Sequence, residues 1–151
     1  MGWRRPFRAV APVVAAAVLG NVFVGRRSME WFASLRRPKI QLPMPGFYAV
    51  GGTYYLLMSV VVHRALASGD EDSYRRAMVV LAGNELWNLL FFGRRSTRAG
   101  FLGIVAFTVP LLRLQASVAT DPVSTLALSP YTLWVIGYDI PWTYQLWRLN
   151  P

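Results

Sequence analysis

Asn84-Glu85-Leu86-Trp87-Asn88-Leu89-Leu90-Phe91-Phe92-Gly93 is the stretch on which the fold turns. It closes an apolar run over residues 76–93, close to the length needed to cross a hydrocarbon core of about 30 Å. Three polar side chains interrupt that run. Asn84 and Asn88 are four residues apart and Glu85 and Asn88 three, so all three share one helical stripe. Polar groups at membrane depth need partners, and the stripe is therefore predicted to face a bundle interior.

Four similar apolar runs surround this one, over residues 9–25, 45–66, 99–116 and 129–147. They account for a chain that is 54% hydrophobic and 15% charged, against about 25% charged in an ordinary soluble domain. A chain of 151 residues holds about five such helices or one soluble domain, so no appended catalytic domain is expected. The first run follows an Arg-rich start like a signal peptide, but it ends Val22-Phe23-Val24-Gly25, too bulky for cleavage, and reads as a span. The expectation is an all-α integral membrane protein: one domain over 1–151, built as a five-helix transmembrane bundle.

The loop over residues 26–44 is too apolar for a linker. Trp31, Phe32 and Leu35 alternate with Glu30, Arg36 and Arg37, predicting a short amphipathic helix at the membrane surface, followed by Pro38, Pro43 and Pro45. The other connections, 68–74, 94–98 and 117–128, are short or polar.

The net charge of +9 invites a nucleic-acid reading, but its distribution opposes one. The basic residues cluster at the edges of the apolar runs (Arg4, Arg5, Arg8; Arg26, Arg27; Arg36, Arg37, Lys39; Arg75, Arg76; Arg94, Arg95, Arg98), where lipid head groups hold them. Membrane lipid is thus an expected partner and nucleic acid is not. The first loop, third loop and C-terminus carry nine Lys and Arg, against six on the other side, or seven with Arg113. That bias predicts a cytoplasmic C-terminus and first loop. The near-absence of Lys points to a GC-rich bacterial or archaeal source, hence a plasma membrane.

Cysteine is absent, which excludes disulfides and thiolate metal sites, and His63 is the only histidine, which excludes paired-histidine metal or haem ligation. No phosphate loop, dinucleotide fingerprint or catalytic triad context occurs. No catalytic residue and no metal site is expected.

On the fifth run Trp134, Tyr138 and Trp142 recur every four residues as an aromatic stripe, with Asp139 about 100° from Tyr138 around the axis. Pro141 removes a backbone bond and frees the carbonyl of Gly137. A kink beside an intramembrane acid reads as ligand lining; the competing reading makes Asn84, Glu85, Asn88, Arg113 and Asp139 interhelical glue. Asp139 is expected to be paired with Arg113, a tyrosine or the stripe on the third run, because an unpaired carboxylate at the helix centre costs about 2.5–3.5 kcal/mol.

Several spacings together resemble the translocator protein family, also called the TspO/MBR family, the tryptophan-rich sensory proteins or the peripheral-type benzodiazepine receptors. Trp31-Phe32-x-x-Leu35-x-x-Pro38 is similar to the family's W-Y-x-x-L-x-x-P, with Pro43, Phe47, Val50, Tyr55 and Met58 following at its spacing. Asn84-x-x-Trp87-Asn88-x-x-Phe91-Phe92 resembles N-x-x-W-[SN]-x-x-F-F, and Pro130-Tyr131-x-x-Trp134 with Trp147-Arg148-Leu149-Asn150 matches the last helix. Two family tryptophans are replaced, by Ile40 in the first loop and by Gly51 on the second helix, and Tyr138-Asp139-Ile140-Pro141-Trp142 stands where the family is apolar. The resemblance marks a divergent branch.

The resemblance implies a five-helix bundle, often a homodimer, whose pocket binds tetrapyrroles, sterols or benzodiazepine-type ligands. It places Tyr55, Asn84, Trp87, Asn88 and Trp134 at family pocket positions; Tyr138, Asp139 and Trp142 join them from the reading of the fifth run. The expected function is a membrane ligand-binding protein that senses or carries a small apolar ligand such as protoporphyrin IX or haem, with no required cofactor. The alternatives are slow porphyrin breakdown, set against by Gly51, and a structural or partner-binding membrane subunit.

Overall fold

A computed structural model describes the backbone of residues 4–151 and side chains from residue 7 onward; Arg4 and Arg5 of the N-terminal basic cluster lie outside the described side chains. The described chain forms six helical rods joined by turns and by the extended segment 35–43. They are α1 (Arg4–Phe23), α2 (Arg26–Ser34), α3 (Met44–Ser68), α4 (Glu71–Asn88) running on through a wide π turn (Leu89–Gly93), α5 (Thr97–Ser117), and α6 (Pro122–Trp134), which continues through a second π turn (Val135–Asp139) into α7 (Ile140–Leu149).

Local chemistry sets the ends of these rods. Gly69 closes α3 in the left-handed region at φ 72°, a conformation that a residue with a Cβ adopts only at a cost. Asp70 then starts α4, its carboxyl accepting from the Ser73 N–H at 3.0 Å, a bond that holds it below the usual carboxylate range. Ser96 caps α5 by accepting from Ala99 N–H at 3.1 Å. Asp121 caps α6, with Pro122 in its first turn. α4 therefore begins five residues before the predicted run, and α6 seven residues before its own, because the caps lie in polar segments that hydropathy reads as loops.

The two wide turns also have local causes. Ile140 N–H bonds back five residues to Val135, just ahead of Pro141, whose ring offers no N–H to the preceding turn. An expanded turn thus stands where a kink is expected. Arg94 N–H likewise reaches Leu89 O at 2.8 Å.

The rods alternate in direction. At one end Arg36 and Asn150 exchange hydrogen bonds of 2.9 and 3.0 Å, and the Thr97 hydroxyl donates to Asn150 O at 2.8 Å. The first loop, the α4–α5 turn and the C-terminus thus meet. At the other end Arg64 grips Asp121 through two bonds, at 2.6 and 3.0 Å, and the Ser73 and Ser117 hydroxyls meet at 3.1 Å. The Arg64 guanidinium, then the Ser124 hydroxyl, hold the Asp121 carboxyl well below the usual carboxylate range.

Between these ends, Met58, Val61, Val62, Val80, Leu111, Leu114, Leu128 and Val135 are fully buried. A second cluster joins Phe32 of α2 to Phe91, Trp142 and Leu146. The outward faces are apolar too, with Leu56, Leu126 and Leu133 each at least 70% exposed, which suits lipid better than water. By length and composition α3 and α5 suffice to cross a membrane; the α1 segment Phe7–Phe23 does so only together with α2, across a bend of 63°.

Candidate functional site

The polar stripe of α4 does face inward. Glu85, only 8% exposed, accepts three hydrogen bonds: from the Tyr55 hydroxyl on α3 at 2.7 Å, from Asn84 Nδ2 at 3.1 Å and from Asn88 Nδ2 at 3.2 Å. Tyr131 of α6 extends the network by donating to Asn84 Oδ1 at 3.3 Å. Gly20 of α1 lets the helix backbone lie directly against this carboxyl; a Cβ there would overlap Glu85 Oε2 and stand 3.1 Å from both Asn88 Nδ2 and Tyr55 Oη. Four helices therefore converge on one acid, and among the described residues no cation pairs with it.

Above the network lies a cavity of about 410 Å³, within the range of small-molecule sites. α1 contributes Gly20 and Asn21; the first loop contributes Met29, Phe32 and Met44; α3 contributes Phe47, Gly51, Tyr54 and Tyr55. Asn84, Trp87, Asn88 and Phe92 form another wall, and Tyr131, Trp134, Asp139 and Trp142 close the last. A Cβ built on Gly51 meets nothing within 4 Å, so the position of the missing family tryptophan is open space. Ile40, the other replaced tryptophan, is 40% exposed on the loop.

Of the eight residues singled out from the sequence, seven line this cavity: Tyr55, Asn84, Trp87, Asn88, Trp134, Asp139 and Trp142. Tyr138 is the exception. Its ring stacks between Trp134 (4.2 Å between centroids) and Trp142 (6.3 Å), while its hydroxyl points away to the first loop, donating to Ile40 O and accepting from Leu42 N–H, both at 2.9 Å. Trp142 adds a bond from Nε1 to Gln41 Oε1 at 3.3 Å. Tyr138 is a clamp on the segment that joins α2 to α3.

Trp87 lines the wall while its Nε1 donates to Gly100 O on α5 at 2.9 Å, fixing the ring against a neighbouring backbone. The lining residues that sequence reasoning did not select include Gly20 of α1, Phe32 of α2, Phe47 of α3, Phe92 and Tyr131. A glycine inside an apolar helix was the available signal for Gly20, as a mark of close helix approach.

The pairing of Asp139 with Arg113 does not occur. Arg113 is exposed on the outer side of α5, and none of the ion pairs among the described residues includes either group. The cause is register. Gln115 reaches Ser129 and Thr132 across the α5–α6 contact, so Asp139 lies level with the middle of α5, about 10 Å along the axis from Arg113 at 1.5 Å per residue. Asp139 instead faces the cavity, with the Trp134 indole turned towards it.

If Tyr138 clamps the loop, Tyr138→Phe should keep the ring stack and free residues 38–43. Two hydrogen bonds at about 0.5–1.5 kcal/mol each correspond to a roughly five- to hundredfold rise in local opening. Faster amide hydrogen exchange in peptides covering that loop, with little change elsewhere, is the expected readout; unchanged exchange refutes the clamp.

A model of the TspO/MBR family matches residues 9–148. The chain is 26% identical over 131 residues to the tryptophan-rich protein TspO of Archaeoglobus fulgidus, covering 85% of this chain and 86% of the relative. It is 28% identical over 127 residues to the protein CrtK of Rhodobacter capsulatus, covering 80% and 79%. With a tryptophan-rich protein TspO from Chlorobaculum tepidum it shares 24% over 144 residues, covering 91% and 90%.

Proposed function

The chain belongs to the TspO/MBR family of membrane proteins, and from that premise we propose that it binds a flat, largely apolar ligand of tetrapyrrole type, which it senses or carries. The observation that supports this reading is the cavity of about 410 Å³, whose walls combine aromatic faces with the few polar groups of Asn84, Asn88 and Asp139. Flat aromatic ligands gain from stacking on such walls, and convergent polar groups orient them.

The same proposal takes five spans, α1, α3, α4 with its π turn, α5, and α6 through α7, with α2 lying at the surface. The C-terminus and the first loop are cytoplasmic, since Arg26, Arg27, Arg36, Arg37, Lys39, Arg94, Arg95, Arg98 and Arg148 fall on that side. The membrane is a bacterial or archaeal plasma membrane, and a homodimer is the assembly the family suggests. No cofactor is needed for binding.

Titration of the purified protein with protoporphyrin IX and biliverdin, in light and in darkness, tests the reading. Saturable binding without loss of the pigment is expected. Asn84→Ala and Asn88→Ala should each weaken binding more than they lower thermal stability, because each removes a polar group that lines the cavity while Glu85 keeps two of its three donors. Unchanged affinity in both variants refutes the pocket, and absence of any binding leaves the polar stripe as glue between helices.

A further inference from the structure

The polar groups of the cavity are of one electrical kind. None of its lining residues is Lys, Arg or His, whereas Asp139 presents a carboxyl to it and the Glu85 carboxyl lies behind the Asn84 and Asn88 amides. Glu85 is satisfied by three donors from the protein. Asp139 has no ion-pair partner among the described residues. A carboxyl facing a low-dielectric space without a counter-charge is an acceptor that a ligand can complete.

A second, independent observation lies in another wall of the cavity, on α3. Tyr54 is 2% exposed and lines the cavity, yet its hydroxyl has no hydrogen-bond partner. Buried polar atoms are nearly always paired, so this one marks a place where a bound group belongs. The surrounding rings sharpen the choice: Trp134, Trp142 and Phe47 line the cavity, and aromatic walls take a cation more readily than a carboxylate.

From the ligand-binding reading and these features together, we infer that the cavity selects a flat apolar cation, an aromatic body bearing a positively charged nitrogen, and seats that nitrogen against the Asp139 carboxyl. The free tetrapyrrole acids of the titration above bind through their apolar faces, but more weakly than their esters, which bring no carboxylate into this field.

Two dyes with one tricyclic framework and opposite charge separate the possibilities: rhodamine 123, a cation, and fluorescein, an anion. Binding is measured to the full chain in phosphatidylcholine nanodiscs, with empty nanodiscs subtracted, by fluorescence polarisation and tryptophan quenching. The natural protein should bind rhodamine 123 at least about tenfold more tightly than fluorescein. Asp139→Asn should bring that ratio below about threefold, and Asp139→Glu should keep it. Protoporphyrin dimethyl ester, which is uncharged at its rim, should bind and displace rhodamine 123. Equal affinity for the two dyes, tighter binding of fluorescein, or a preference unchanged by Asp139→Asn overturns the inference. The comparison of dyes on the natural protein decides even where a variant does not fold. Binding of the ester without a charge preference leaves the ligand-binding reading standing; binding of none of the three removes both.

Discussion

Gly51→Trp is expected to turn a protein that leaves bound porphyrin intact into one that degrades it in light and oxygen. The argument starts from space. Gly51 lines the cavity, and a side chain built on it meets no heavy atom within 4 Å at its first carbon, so a larger side chain can start there without meeting a wall. Trp buries about 150–250 Å² and stacks on flat rings, so it would lie against any tetrapyrrole held between Trp87, Trp134 and Trp142. It also restores the aromatic group the family carries at this point, an electron-rich ring beside the pigment. Bleaching of bound protoporphyrin under illumination should rise by roughly an order of magnitude, about 1.4 kcal/mol in the barrier. Gly51→Phe fills similar space without an indole and should bleach much less. Rapid bleaching by the natural protein beyond a protein-free control, or identical rates in all three, would show that position 51 does not govern this chemistry.

The second large effect is on stability. Gly20→Ala places a methyl group where Glu85 Oε2 now lies and 3.1 Å from Asn88 Nδ2 and Tyr55 Oη. In an isolated helix the change is worth about 1 kcal/mol in favour of folding. Here the carboxyl must move, and it is buried and held by donors from α3 and α4. Overpacking costs about 1–3 kcal/mol and a buried acceptor pulled from its donors about 1–3 more, so a net loss of about 2 kcal/mol or greater is expected. Thermal or denaturant unfolding in detergent checks it. Gly51→Ala, at an open position, should be neutral or slightly stabilising, which separates the overlap from glycine replacement in general. Combining Gly20→Ala with Glu85→Ala should cost less than the sum of the two, since the second change removes the atom with which the first collides. Simple additivity would mean that Gly20 does not act through Glu85.

Both variants probe features that differ in how far the sequence reveals them. The openness of position 51 was legible as a glycine where the resembled family has a tryptophan, but its consequence needs the cavity around it. The role of Gly20 was hidden, because a single glycine in an Ala- and Val-rich helix says that something approaches closely without saying what.

The helical class, the order of apolar runs, the short helix around Trp31 and Phe32, and the inward polar stripe of Asn84, Glu85 and Asn88 all follow from the sequence alone. Each depends on spacing within one helix, and a period of 3.6 residues is a local property of the chain. Which helix meets which, and at what height, is not local. Only the tertiary structure decides that Glu85 takes its third donor from Tyr55, that Asp139 misses Arg113 by about 10 Å along the axis, and that Tyr138 turns to the loop. Register between helices is set by packing summed over many side chains. The π turn at Val135–Asp139 adds a residue to one turn and rotates everything after it by about 100° relative to an unbroken α-helix. The three rings of the aromatic stripe still stack in a row, and Tyr138 leaves the cavity lining only because its hydroxyl meets Ile40 and Leu42 of a distant segment, a contact that no spacing within the helix announces.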